Sequence, residues 1–313
     1  MKVLLAGGSG AIGLPVVRQL RAAGHRVVAI HRAAAGGEIL RTAGATPLQV
    51  DVLDPDGLRA AVAGLRCDAV ISQLTAMKKT PLRHQDMAAT NRLRIEGTAA
   101  LLAAAERIGA GRFVTQSMVF GYGYGDFGGR VLTEHDPFAP AGHGRFEEHL
   151  AGMRSAEQQV FEASHVEAIA LRYGLFYGPG PAGDTMVDGL RRRRLPVLNG
   201  GGVQPWVQVD DAAAATVSAL ESGTADSAYN IADDEPVSFS ELVRTLAAEL
   251  GTAQPRAVPP WLLTPMPYAK AMLTGGLRVA NAKAKHELGW VPRFPTYRDG
   301  LAELVRHYRG NSG

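Results

Sequence analysis

The chain has 313 residues, 46% of them hydrophobic and 20% charged, with a formal net charge of +3. That length accommodates one large α/β domain plus a smaller region, and so small a charge gives no reason to expect a nucleic-acid partner. A single cysteine, Cys67, excludes an internal disulfide framework, and no apolar run approaches the ~20 residues of a membrane span.

Val3–Ala6 is a short apolar run that predicts a buried strand. It starts so early that no signal peptide fits ahead of it, and with the lone cysteine this predicts a cytoplasmic protein. The run breaks into Gly7-x-x-Gly10-x-x-Gly13, followed by a helical pattern from Leu14 to Ala23. Glycines at that spacing let the backbone turn tightly and approach a pyrophosphate seated on the helix N-terminus. In a strand–turn–helix context the motif points to a dinucleotide.

Further strands are expected at 26–31, 46–50, 68–73, 112–116 and 167–172, and helices at 38–43, 55–65, 91–108 and 152–164. Short apolar runs alternating with helices imply right-handed crossovers and a Rossmann-like, doubly wound parallel sheet covered on both faces. Cys67 borders the strand at 68–73 and reads as a small core residue. From Gly178-Pro-Gly-Pro181 the pattern changes, which divides the chain into a mainly nucleotide-binding part, 1–177, and a mainly substrate-binding part with a lid, 178–313. Arg191–Arg194 reads as a solvated helix end. Strands are expected at 203–209 and 228–231. Ser238 and Glu241 form a capping-box pattern ahead of a helix. A Pro-rich segment bearing Trp261, Met266 and Tyr268 follows, and a final helix is expected over 297–308.

Several short motifs recur in order along the chain: Asp51-Val-Leu-Asp54, Glu96-Gly-Thr98, Phe113-Val-Thr-Gln-Ser-Met-Val-Phe-Gly121, Leu171-Arg-Tyr-Gly-Leu-Phe-Tyr-Gly-Pro179, Val207-Gln-Val-Asp-Asp211, Tyr229-Asn-Ile231 and Lys285-His-Glu-Leu-Gly-Trp-Val-Pro292. With the glycine loop they resemble the extended short-chain dehydrogenase/reductase family, which contains nucleotide-sugar epimerases and dehydratases. The resemblance implies NAD(P) held by Gly7, Gly10, Ala11, Ile12 and Gly13, by Asp51 and Val52 at the adenine, and by Gln73, Leu74, Gln116 and Tyr173. The second strand ends in His31-Arg32, with no acid for a ribose diol. Arg32, with His31, suits the 2′-phosphate of NADPH, NADH remaining an alternative.

The family's acid is a Tyr-x-x-x-Lys pair, and none of the eight tyrosines here has a lysine four residues later. The resemblance aligns His149 with the tyrosine, Met153 with the lysine, Gln116 with the usual serine and Arg94 with the helix asparagine. Candidate proton donors are therefore His149, Ser117, Tyr122 and Tyr124, or a hydroxyl of the substrate itself. An arginine that grips a sugar-nucleotide diphosphate in the family is replaced around Gln204-Pro-Trp206. Met118, Phe120, Met153, Phe176, Gln204, Trp206, Trp261 and Met266 are expected to line a hydrophobic substrate site, with no metal.

The expected function is an NADPH-dependent reductase of a ketone on a bulky aromatic secondary metabolite. Atypical ketoreductases of angucyclinone polyketides, the simocyclinone type, are similar in lacking the tetrad. A catalytically inactive NADP-binding sensor and a nucleotide-sugar epimerase or dehydratase are the alternatives. A monomer or homodimer acting on a small molecule, away from membranes and nucleic acid, is expected.

Overall fold

The computed structural model describes residues 1–77 and 80–310; the last three residues of the 178–313 region lie outside it. Seven parallel strands form the central sheet: β1 (Lys2–Ala6), β2 (Arg26–His31), β3 (Thr46–Gln49), β4 (Ala69–Ser72), β5 (Arg112–Met118), β7 (Glu167–Tyr173) and Ser227–Ile231. A further strand, β6 (Asp126–Leu132), lies outside this sheet. The sheet order is Ser227–Ile231, β7, β5, β4, β1, β2, β3, with Val3 opposite Val27 on one side and Ala69 on the other. This is the doubly wound arrangement expected from the sequence.

Alternation along each strand divides the apolar residues between two faces. Val3, Leu5, Val114, Ile169 and Leu171 pack with α1 (Gly13–Ala22), with Leu40 of α2 (Ala35–Thr42) and with the helix Val209–Ser222. Leu4, Ala6, Phe113 and Ala168 pack beneath α3 (Pro55–Ala61), α5 (Thr98–Ile108) and α6 (Glu147–Phe161). Fully burying each leucine-sized side chain contributes about 1.5–3 kcal/mol, so both faces tie the helices to the sheet. Cys67 is buried in the second core, and burial pushes its thiol up.

Two departures from the sequence pattern bear on the site. The long helix expected over 91–108 is interrupted: α4 (Ala88–Arg92) passes through a π-helical turn, Leu93–Gly97, before α5 begins. A π turn inserts one residue into the helical register and re-aims the side chains on it. The helix expected from Gly152 begins five residues earlier, at Glu147. Glu147 and Glu148 favour that start by facing the positive end of the helix dipole, and the Glu147 carboxylate accepts the Gly142 and His143 amides. His149 therefore occupies the first turn of α6.

The second half has its own core, built from Tyr177, Leu190, Trp206, Leu242, Leu246, Tyr297 and Leu301 among others. It is fastened to the sheet domain at Asp211, whose carboxylate accepts the Arg293 and Phe294 amides at 2.8 Å each. Ser238 caps the helix Phe239–Leu250 by accepting the Glu241 amide. Gly276–Val279 returns to pair with β6. That return brings the preceding helix, Pro267–Thr274, up against α6, where the ring of Tyr268 meets that of His149. Among the described residues no helix is long and apolar enough to cross a membrane.

Candidate active site

The strand order reverses between β1 and β4, which opens a crevice at their carboxyl ends, where doubly wound sheets bind ligands. Gly7 lies there with φ +83°, and a Cβ on it would fall 2.2 Å from the Gln73 carbonyl oxygen. A Cβ on Gly13 would fall 2.0 Å from the Gly7 carbonyl oxygen, so the loop closes only with glycine at both positions. Helix α1 is preceded by Ile12, which offers no side-chain cap, and has no acid in its first turn. Its amide dipoles are thus left for an anion such as a pyrophosphate.

Around this loop the residues fit a dinucleotide. At the end of β2, Arg32 is two-thirds exposed and its nearest acid, Asp51, is 3.8 Å away. His31 is buried and its Nδ1 is committed to the Ala33 carbonyl at 3.0 Å, so of the pair Arg32 is the one open to a phosphate. Asp51 also accepts the Leu53 amide, and Val52 is buried beside it. At the ends of β4 and β5, Gln73 Oε1, Gln116 Oε1 and Ser117 Oγ are buried with no partner among the described residues. Orphaned buried acceptors cost stability unless a ligand or water meets them, and these lie where the crevice runs. Gln73 donates through Nε2 to the Tyr173 hydroxyl at 3.1 Å, and that hydroxyl lies 2.7 Å from Thr216 Oγ1. Burial raises the Tyr173 phenol and keeps it protonated. Leu74 packs beside Gly97 in the π turn.

His149 is completely buried on α6. Its Nδ1 lies 2.9 Å from Asn91 Nδ2, its Nε2 is 3.0 Å from His84 Nδ1, and the two imidazoles stack with centroids 5.2 Å apart. Arg94, on the π turn, donates at 3.4 Å to Asn91 Oδ1. That contact orients the Asn91 amide, which donates to His149 Nδ1; the His149 proton then resides on Nε2 and is donated to His84. Burial first, then the neighbouring His84 and Arg94, pull the His149 pKa down to about 4. Burial and Arg145 lower His84 as well. At neutral pH the pair is uncharged, and His149 cannot act as an imidazolium acid.

Aromatic rings enclose this chain of bonds. Tyr268 meets His149 edge-on at 5.2 Å, Phe146 packs on His84 at 4.7 Å, and Tyr124 stacks on Phe146 at 4.3 Å and on Phe120 at 5.6 Å. Tyr124 and Tyr268 hydrogen-bond one another, and burial raises both phenols, so both remain protonated.

The expected site residues therefore fall into separate groups. His149, Tyr124, Phe120 and Met153 share one cluster, with Met118 packed at its edge. Phe176 lies nearer the sheet, against Tyr173. Tyr122 is turned away: its hydroxyl donates toward the Thr133 carbonyl and Asn230 Oδ1 and accepts from Arg172. Trp206 is a core residue whose indole donates to the Val237 carbonyl at 2.9 Å. Gln204 ties down the helix Pro267–Thr274 by donating to the Met272 and Gly275 carbonyls. Met266 precedes that helix, while Trp261, on a neighbouring turn, is 67% exposed. His84, Asn91, Phe146 and Tyr268 join the site without having been singled out by motif. Among the described residues no cluster of His, Cys, Asp and Glu is arranged to hold a metal.

The profile of the NAD dependent epimerase/dehydratase family matches residues 3–232, and the chain belongs to that family. It is 37% identical to a Streptomyces protein named 3-diazoavenalumate denitrifying reductase, over 96% of this chain and 99% of that one. A Stigmatella aurantiaca protein named 4-hydroxy-2-methyl-3-oxo-4-farnesyl-3,4-dihydroquinoline-1-oxide ketoreductase is 26% identical, over 97% and 96%. Among solved structures, UDP-glucose 4-epimerase of Thermus thermophilus, in complex with NAD, is similar at a TM-score of 0.80 and 27% identity, covering 99% of both chains. Membership brings a nicotinamide dinucleotide with it, and the names of the two relatives support a reductase role.

Proposed function

We propose that the protein is an NADPH-dependent reductase that delivers hydride to a bulky aromatic small molecule of secondary metabolism without a Tyr–Lys acid. The observation that carries this reading is His149: at the tyrosine's place stands an imidazole that is buried, uncharged and bonded through both nitrogens. Gly7, Gly10, Ala11, Ile12 and Gly13 would hold the pyrophosphate, Arg32 the 2′-phosphate, and Gln73, Gln116 and Ser117 the nicotinamide end. When bound, the reduced nicotinamide supplies hydride.

The acceptor best suited to such a site is one that takes hydride without needing a proton from the protein. An arenediazonium is of this kind: it gains hydride at carbon, loses dinitrogen and ends as a C–H bond, with no oxygen to protonate. The Streptomyces relative, named for a diazo substrate, supports that choice. A ketone is the second reading, favoured by the protonated Tyr124 phenol beside His149 and by the ketoreductase relative.

The test follows NADPH absorbance with an ortho-hydroxyarenediazonium and with an aromatic ketone, against the same mixtures lacking protein. Consumption with one dinitrogen released per NADPH is expected from the diazonium. If NADPH binds and neither acceptor consumes it, the reading fails and a non-catalytic NADP-binding protein remains. Arg32→Ala is expected to weaken NADPH by about 10–100-fold, the loss of one charge-assisted contact, while barely touching NADH. Equal losses would remove the NADPH assignment.

A further inference from the structure

Arg94 poses a question that hydride transfer alone does not answer. Its guanidinium is surrounded by Asn91, His149, Tyr124 and Tyr268, none of them an acid. Among the described residues no carboxylate lies within ion-pair distance, since Glu96, on the same turn, is taken by Arg92. Among the described residues its five N–H donors meet one acceptor, Asn91 Oδ1, at a long 3.4 Å. Burial, with no carboxylate to offset it, lowers its pKa. Arg94 is half-buried, and a cation partly withdrawn from water without a counter-ion is costly, so folding gains little from it.

The π turn strengthens the point. Arg94 lies on Leu93–Gly97, where the inserted residue turns the side chain toward His149 and the tyrosines. The protein thus spends helical regularity to bring an unpaired guanidinium beside two protonated phenols. Guanidinium plus phenolic O–H is a donor set for an anionic oxygen, and the surrounding rings suit a flat apolar body carrying it.

We propose that Arg94 is a specificity residue that receives an anionic oxygen of the substrate, a carboxylate or a phenolate on an aromatic body, with the Tyr124–Tyr268 pair donating to the same group through the one hydroxyl proton their mutual hydrogen bond leaves free. This rests on the reductase reading for the site's purpose, but it concerns recognition alone. It narrows the substrate class to aromatic acids or acidic phenols.

The experiment measures binding to the NADP⁺-saturated protein, with NADP⁺ affinity determined separately for every variant. The probes are 2-naphthoate, its neutral analogue 2-naphthamide, and 4-nitrophenol above and below its own ionisation. At least one anion is expected to bind tenfold or more tighter than its neutral form, and which one distinguishes carboxylate from phenolate. Arg94→Gln should erase that preference without changing NADP⁺ affinity, and Arg94→Lys, which keeps the charge, should retain part of it. Equal binding of anion and neutral form by the native protein, or a preference that survives in Arg94→Gln, overturns the proposal. Because no turnover is read, failure here is separable from failure of the reductase reading, which the NADPH-consumption assay tests on its own.

Discussion

Arg172 is buried and Arg94 half-buried, and the protein treats the two arginines in opposite ways. Arg172, on β7, donates to both carboxylate oxygens of Glu157 at 3.0 and 2.7 Å, donates to the Tyr122 hydroxyl, and lies 4.1 Å over the ring of Phe138. Tyr122 in turn reaches Asn230 Oδ1, and the Asn230 backbone N–H donates to Glu134. Every polar end in that knot is met, as a buried charge requires when its role is to hold elements together. Arg94 has the same chemistry and one long bond. A satisfied buried charge fixes structure, whereas a half-buried charge left without a counter-ion beside the cleft is, on this proposal, held for a ligand.

The most severe way to break this contrast is to leave Arg172 as lonely as Arg94. Glu157→Gln should cost about 3–5 kcal/mol in denaturant unfolding, because it strands a buried guanidinium. A loss below 1 kcal/mol would mean that the knot is solvated and that the comparison fails. Tyr122→Phe removes one hydroxyl with three partners and should cost about 1–3 kcal/mol. It should leave reductase turnover intact, since that hydroxyl faces the knot; a collapse of turnover at unchanged stability would return Tyr122 to the candidate donors.

The Arg94 side is sharpened by pH. A histidine in an unfolded chain ionises near pH ~6.5, whereas folded His149 does so at about 4. Between those values the unfolded state binds the extra proton, so stability is complete above pH ~6.5 and drains as pH falls toward 4, at up to about 1.4 kcal/mol per pH unit. His84, Arg94, Asn91 and Tyr268 all face the ring, and two of them add to the shift. His149→Gln should flatten the slope of unfolding free energy over that window. An unchanged slope would place the titration elsewhere. Turnover that survives His149→Gln would agree with an acceptor needing no protein acid.

Much of this was legible in the sequence because it is local. The glycine loop, the strands and the departures at His149, Met153 and Arg94 follow from spacing within short motifs. The site's assembly is not local: His84 meets His149 across 65 residues, and Tyr268 arrives through the second half of the chain. Tyr122 and Tyr124 look equivalent in Gly121-Tyr-Gly-Tyr-Gly125. Yet the turn at Gly123, with φ +132°, sends one ring to Arg172 and the other to His149. Periodicity also continues unbroken across Leu93–Gly97, because a π turn adds a residue without changing which residues look apolar.

The smallest expected effect is the most telling for the pair. Arg94→Leu removes a guanidinium that satisfies one amide oxygen and nothing acidic, and it relieves one of the influences that depress His149. What is lost is a long hydrogen bond of about 0.5–1.5 kcal/mol; what is recovered is the desolvation cost of a charge with no counter-ion. The two oppose each other, so unfolding free energy should change by less than about 1 kcal/mol, or rise. Alongside it, the His149 ionisation should move upward from about 4, which hydrogen-1 or nitrogen-15 titration of the imidazole would read. A loss comparable to that of Glu157→Gln would show that Arg94 is structural after all, and the distinction between the two arginines would fall with it.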